Sequence, residues 1–562
     1  MHSLPPFLIF VVGALVLPLV AARHRPALTL LVPLAGFVNL LMLDSGNHWQ
    51  VAMLGYTLEF GRVDKLSFLF AFLFHLAAGL GAIFALHVRD AMQQVAALLY
   101  AGGAVGAVFA GDLVTLFIFW EVMAVSSAFL IFARRTEHAS RAGLRYLIAQ
   151  ITSGVLLLAG AVIHQGETGS LAFDLLDLSG LGAKLIFIAF GIKCAWPLIH
   201  AWLPDAYPEA TATGTVYLSA FTTKFAVYGL ARAFPGTELL IYIGTAMTMF
   251  PIFFAVIEND LRRVLSYSLI NQVGFMVVGI GLGTTLALNG TVSHAFNHVI
   301  YKALLFMSMG AVLHMTGRIH ATDLGGLYKS MPLTTTFCII GAASISAFPL
   351  FSGFVSKSMV LASAAEEGHV VVFLLLLFAS AGVVEHAGIK VPYFAFFAHD
   401  SGIRTTEPPV NMLIAMGFAA FICVFNGVWP WLLYDFLPWP VDYAPYTPTH
   451  VIAQAQLLLF AVLAVVLLMV SGLYPPEMRL VNLDSDWLVR RLGKRLAVGA
   501  GRAVMAAWSG LLDAAQGALG GLISHLYQAH GPRGVLARTW PTGSTVMWIA
   551  ALLAIYLLIN YA

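Results

Sequence analysis

The chain has 562 residues, 60% of them hydrophobic and only 10% charged, and a mean hydropathy of +0.87, too apolar for the surface of a water-soluble fold of this length. The formal net charge is +2, and the basic residues are scattered through loops and a late stretch, so a nucleic-acid partner is set aside. Cys194, Cys338 and Cys423 lie inside apolar runs without a CxxC, as small buried hydrophobes do, and build no redox centre.

Apolar stretches near the roughly 20 residues that cross a bilayer fall at 5–22, 27–43, 66–87, 93–111, 113–133, 144–164, 182–203, 214–234, 239–257, 264–286, 291–316, 333–362, 370–397, 410–431, 452–473 and 542–561. The first lacks a basic leader and reads as a membrane helix rather than a signal peptide. Arg23, Arg25, Arg89, Arg134, Arg135, Arg141, Arg262, Arg263, Arg318, Lys329 and Arg404 follow odd-numbered spans, whereas loops after even-numbered spans carry little beyond Arg62, Lys65, Lys184 and Arg232. By the positive-inside rule the N-terminus faces away from the cytoplasm. The segment 484–535 mixes basic residues with leucine and valine, then turns to alanine and glycine. It is either an amphipathic helix along the cytoplasmic face or a basic linker followed by one more partly apolar span.

Three spans carry helix breakers near their centres: Pro197; Pro349 with Gly353; and Gly388 with Pro392. A broken helix at membrane depth persists where its freed backbone groups are buried in protein or line a hydrated cavity, a common construction for ion sites in transporters.

Lysines lie within a few residues of each break, and ionisable residues recur inside other spans. At 1.5 Å per residue, Glu121 lies about 12 Å into its span and Lys193 about 16 Å into its own, near the midplane of a core roughly 30 Å thick. A carboxylate and an ammonium at such depth lower each other's ionisation cost, and separating them makes a proton switch; the alternative is a static ion pair. Lys224 and Lys302 read as further stations, because a buried lysine gives up its proton where arginine would not. His294, His298 and Lys302 fall at i, i+4 and i+8, on one helix face, and a His-His-Lys ladder can pass protons. Zinc is the competing reading of HxxxH, but neither an HExxH glutamate nor a third ligand is nearby, so no metal is assigned. Lys357 lies beyond the second break as the last station. Glu385, His386 and Lys390 form a polar knot that reads equally as local neutralisation or as transport. Asp205, with Glu209, Asp112 and Asp260, sits at span ends, where capping and loop packing explain it about as well as ion entry.

The strings GDLVTLFIFWEVMAVSSAFLI, FGIKCAWPLIHAWLPDAYPEAT, NDLRRVLSYSLINQVGFMVVGIGLG, HAFNHVIYKALLFMSMGAV and DLGGLYKSMPLTTTFCIIGAASISAFPLFSGFVSK resemble the antiporter-like membrane subunits of respiratory complex I, membrane-bound hydrogenases and Mrp-type multisubunit cation/proton antiporters. The resemblance runs from about residue 95 to 360. It implies an all-α polytopic fold of about 14–16 transmembrane helices with two inverted five-helix repeats, 93–234 and 239–397, each with one broken helix. Around them it leaves N-terminal helices in 1–92, C-terminal helices in 398–475, a lateral segment in 476–541 and a final helix in 542–562. It implies that Glu121 and Lys193 are the paired groups of the first half-channel and that Lys224 is the next buried base. His294, His298 and Lys302 then form the central axis, and Lys357 is the lysine of the second broken helix.

EHAGIKVPYFAFFAHDSG and YPPEMRLVNLDSDW resemble the D component of Mrp-type antiporters, whereas the tail is similar to that of the largest antiporter-like subunit of complex I. The membrane partner of bacterial inorganic-carbon uptake systems shares the same fold. The function so implied is proton translocation in a Na⁺/H⁺ antiporter among other membrane subunits. The alternative is the same task in an NADH:quinone oxidoreductase, a hydrogenase or a carbon-uptake complex, with membership in a larger enzyme left open. No flavin, iron–sulfur or quinone cofactor is assigned to the chain itself.

Overall fold

The computed structural model describes residues 4–53, 55–480, 482–485, 487, 489–532 and 534–561. They divide into two compact units, Met1–Asp486 and Trp487–Ala562. Among the described residues, eleven helices are long and apolar enough to cross a membrane, which makes this an all-α, multi-spanning bundle. Among the described residues the one sheet is an antiparallel hairpin, in a stretch too polar to span.

The first unit opens with α1 (Pro6–Val16) and α2 (Arg25–Leu40), followed by the hairpin β1 (Gly46–Met53) and β2 (Tyr56–Val63), paired from Gly46 opposite Val63 to Met53 opposite Tyr56. The hairpin closes onto the bundle through Glu59, whose carbonyl accepts from Gly111 N at 3.0 Å and whose N–H donates to Asp112 Oδ2 at 2.7 Å.

Next come α3 (Lys65–Phe84), α4 (Ala91–Phe109), α5 (Leu113–Phe132), α6 (Glu137–Thr168), α7 (Leu181–Cys194), α8 (Trp202–Ala206), α9 (Gly214–Ala220) and α10 (Thr222–Ala233). A second series follows with α11 (Glu238–Ile257), α12 (Leu261–Leu282), α13 (Thr285–Thr316), α14 (Pro332–Ile345), α15 (Ser352–Glu366) and α16 (Val370–Val383). Then come α17 (Val410–Val428), the short α18 (Trp431–Asp435) and α19 (Pro448–Val470). The second unit holds α20 (Lys494–His530) and α21 (Thr542–Tyr561).

The two series run in step. In each, an aspartate caps a helix through two backbone N–H groups, Asp112 at the start of α5 and Asp260 at the start of α12. In each, the next helix has 32 residues, ends at a left-handed glycine (Gly169, Gly317) and is followed by a helix of 14 residues.

Both 14-residue helices break in the same way. The string Ala-aromatic-Pro-Leu occurs at 195–198 and again at 347–350, with its alanine and leucine in the left-handed region: φ is +60° and +72° at Ala195 and Leu198, and +57° and +74° at Ala347 and Leu350. The aromatic N–H closes each end by an i→i−5 bond, Trp196 to Gly191 O at 3.1 Å and Phe348 to Ala343 O at 3.0 Å. The proline that follows prevents the helix from resuming at once.

Two details differ from the breaker pattern. The joint between α9 and α10, at Phe221, contains neither proline nor glycine. Around Gly388 and Pro392 the helix does not break; it continues from α16 through π-helical turns at Val384–Lys390 and Tyr393–Phe397, so that one helical run covers Val370–Phe397. A π turn takes up the proline by shifting the bonding register rather than ending it.

Candidate functional site

Glu121 lies on α5, Lys193 in the last turn of α7, Lys224 at the start of α10, His294, His298 and Lys302 on α13, and Lys357 on α15. All but Glu121, which is half-buried, are 0% exposed.

Lys193 and Glu121 do not form a static ion pair within 4.0 Å. The Lys193 ammonium instead sits 4.6 Å from the centre of the Trp120 ring and donates to the Trp120 carbonyl at 3.4 Å. That ring is itself held, with Trp120 Nε1 donating to Ser153 Oγ at 3.2 Å and Ser153 Oγ to Ala189 O at 2.8 Å. The Glu121 carboxylate packs against Gly154 of α6, where a Cβ would overlap Oε1, an atom without a hydrogen-bond partner among the described residues.

Two further lysines bond carbonyls at helix interruptions. Lys224 donates to Ser219 O at 2.7 Å across the α9–α10 joint and to Thr223 Oγ1 at 3.2 Å. Lys357 donates at 3.0 Å to the carbonyl of Ile345, the last residue of α14, and lies 5.2 Å from the Phe275 ring centre. A helix end presents carbonyls without intrahelical partners and a partial negative charge, which suits an ammonium. For these two lysines the interruptions supply the ligand carbonyls.

On α13 the ring centres of His294 and His298 are 6.2 Å apart. His294 Nδ1 lies 3.1 Å from Ser356 Oγ and its Nε2 3.2 Å from Gln272 Oε1, which also accepts from Tyr301 OH at 3.1 Å. Both nitrogens of His298, and Lys302 Nζ, are buried without a hydrogen-bond partner among the described residues. Sequence reasoning misses Gln272, Tyr301 and Ser356, although each is a polar residue in an otherwise apolar span.

The remaining sequence candidates look elsewhere. Lys390 pairs with Glu477 at 2.9 Å and bonds Val256 O, while Glu385 Oε1 accepts from Tyr474 OH at 2.7 Å. The knot thus closes onto the segment after α19, not between Glu385 and Lys390 themselves. Burial holds the Glu477 carboxyl above its ordinary range. Asp205 accepts from Arg145 at 2.7 and 3.0 Å, in keeping with loop packing.

The same segment reaches the first break. Asp484 Oδ2 lies 2.9 Å from His200 Nε2 and accepts from Tyr267 OH of α12 at 2.8 Å. Burial works against the Asp484 carboxylate, but the hydrogen bonds from His200 and Tyr267 outweigh it and hold its pKa below the ordinary value. His200 and Asp484 are distant in sequence, so no spacing could have paired them.

Comparisons with known proteins agree with this architecture. Residues 110–382 match the family described as NADH:quinone oxidoreductase/Mrp antiporter, TM. The D component of a Na⁺/H⁺ antiporter of Alkalihalophilus pseudofirmus is 31% identical over 57% of this chain and 71% of its own length. Among solved structures, a chain of the Mrp complex from Dietzia sp. DQ12-45-1b superposes with a TM-score of 0.68 at 22% identity, over 77% of this chain and 95% of that one. A chain of the membrane-bound sulfane sulfur reductase, an archaeal respiratory membrane complex, does so with a TM-score of 0.69 at 25% identity and the same coverage. The chain belongs to the superfamily of polytopic, antiporter-like membrane subunits shared by Mrp-type Na⁺(K⁺)/H⁺ antiporters, complex I and membrane-bound hydrogenases.

Proposed function

We propose that this chain is the proton-translocating subunit of a multisubunit Na⁺/H⁺ antiporter of a bacterial inner membrane, with H⁺ moving along Glu121, Lys193, Lys224, His294, His298, Lys302 and Lys357. One observation carries the reading: Lys193, Lys224 and Lys357 are fully buried and bond main-chain carbonyls rather than carboxylates. A structural lysine at this depth would be neutralised by a fixed carboxylate. One held by neutral oxygens, carbonyl or hydroxyl, gains or loses its proton at modest cost as nearby charge moves. The matching succession of helices and breaks supports two inverted five-helix repeats, and the relatives, which belong to multisubunit complexes, support assembly with other membrane subunits.

The test uses everted vesicles carrying the whole complex. Added Na⁺ should collapse an imposed pH gradient, and Lys193→Ala or Glu121→Ala should abolish that collapse. Unchanged transport in both variants refutes the relay. A second reading, a proton pump driven by a redox partner, draws on the likeness to the sulfane sulfur reductase complex. It predicts proton movement that follows electron donor rather than Na⁺.

A further inference from the structure

The second unit carries a charge distribution that the relay does not use. Of the α20 side chains none is buried, and Leu496, Val504, Trp508, Leu511, Leu519 and Leu522 are all more than half exposed. At 100° per residue, Val504, Trp508, Leu511, Leu519 and Leu522 share one face, while Arg491, Arg495, Arg502, Ser509, Asp513 and Gln516 form a separate polar stripe. A long exposed helix with an apolar face and a polar stripe is built to lie in a membrane interface.

Its charge is pooled at one end. Arg491, Lys494, Arg495 and Arg502, with Val498 and Gly499 between them, line a shallow groove of about 570 Å³ at the start of the helix. Between Lys494 and Arg502 there is no carboxylate, and Asp513 is the only one within α20. Guanidinium groups clustered on the side of the helix away from its apolar face match phosphate oxygens at the depth of the headgroups, whereas water-soluble anions need no apolar face.

We propose that Arg491, Lys494, Arg495 and Arg502 bind the phosphate headgroup of an anionic phospholipid, phosphatidylglycerol or cardiolipin, while the apolar face of α20 lies among the acyl chains. The site is independent of the relay and requires no titration of a buried group.

The whole complex is purified with and without the quadruple substitution R491Q/K494Q/R495Q/R502Q, and the lipids that accompany it are quantified. Phosphatidylglycerol and cardiolipin should fall at least about fivefold, with phosphatidylethanolamine unchanged. A Lys-for-Arg set, R491K/R495K/R502K, should retain most of the anionic lipid. Equal lipid content in the wild type and the quadruple variant overturns the proposal, as does loss of a partner subunit with lipid content unchanged, which would make the patch a protein contact. Should the quadruple variant fail to assemble, a bimane label at Val498→Cys in the otherwise unaltered complex decides the matter. Brominated phosphatidylglycerol should quench it more than brominated phosphatidylcholine does. Equal quenching, or displacement of the lipid by millimolar inorganic phosphate, refutes a headgroup site.

Discussion

The two 32-residue helices, α6 and α13, carry different loads on matching positions. Counted from their first residues, the tenth, fourteenth and eighteenth are Tyr146, Gln150 and Gly154 on α6, and His294, His298 and Lys302 on α13. One frame thus presents an uncharged face and the other a titratable one. At the eighteenth position the contrast is sharpest: where α13 places the Lys302 ammonium, α6 has a glycine, and the Glu121 carboxylate from α5 packs against it. The corresponding ninth residue of α12 is Leu269, fully buried, so the second series has no counterpart to that carboxylate. Two series of matching helix lengths offer the same positions; the side chains decide whether a series takes its charge from its long helix or from a neighbour.

The comparison breaks most visibly in transport. If the halves act in series, Lys193→Ala in the first and Lys302→Ala in the second each lower H⁺ translocation by about tenfold or more, the factor that about 1.4 kcal/mol of barrier produces. Residual transport in one variant but not the other would show that only one half conducts. Fluorescence quenching in everted vesicles, at matched complex content, reads both.

Gly154→Ala tests the same position at smaller scale. Its Cβ cannot coexist with the present Glu121 carboxylate, so transport should fall severalfold while overpacking destabilises the complex by about 1–3 kcal/mol. Combined with Glu121→Gln it should be no worse for transport than Glu121→Gln alone. An additive loss would mean that Gly154 acts on packing and not through the carboxylate.

How far the sequence discloses these features follows from the range of the interactions behind them. The spans, the α13 ladder and the two broken helices are legible because apolar length, i/i+4 spacing and proline act locally. The Phe221 joint is not, since no breaker marks it. The π turns near Pro392 read as a break in the sequence because a proline announces a missing N–H but not how the helix makes up for it. The likeness of the two halves is also hard to see, although Ala-aromatic-Pro-Leu stands in both, because four residues in 562 are visible as a repeat only once their φ angles coincide. The span positions predict similar depth for Glu121 and Lys193, but their neighbours, Gly154 and the Trp120 carbonyl, depend on how α5, α6 and α7 pack.

The contact of Asp484 with both halves, His200 after the first break and Tyr267 on α12, gives a pH-dependent test. Its carboxyl has a lowered pKa in the folded state, so its stabilisation is present above the unfolded-state value near 4 and is lost as pH falls through the lowered one. Asp484→Asn should cost roughly 2 kcal/mol at neutral pH, the scale of a charge-assisted hydrogen bond, and the gap to wild type should narrow on acidification. Thermal unfolding of the purified complex between about pH 5 and pH 2 measures it. A gap that widens in acid would contradict the assigned charge state.

The smallest effect concerns the equivalence of the two breaks. Leu198 and Leu350 hold positive φ while remaining 75% and 56% exposed, so their side chains contribute little burial that a substitution would remove. A β-branched residue tolerates the left-handed region poorly, and Leu198→Val should therefore lower stability by about 1 kcal/mol, whereas Leu198→Gly, which meets no such penalty, should not. The same pair of substitutions at Leu350 should give the same signs and similar sizes. Thermal unfolding of the four variants compares the breaks directly: if valine is tolerated at one site and not at the other, the shared φ pattern does not reflect a shared constraint, and the two halves have less in common than their helix lengths imply.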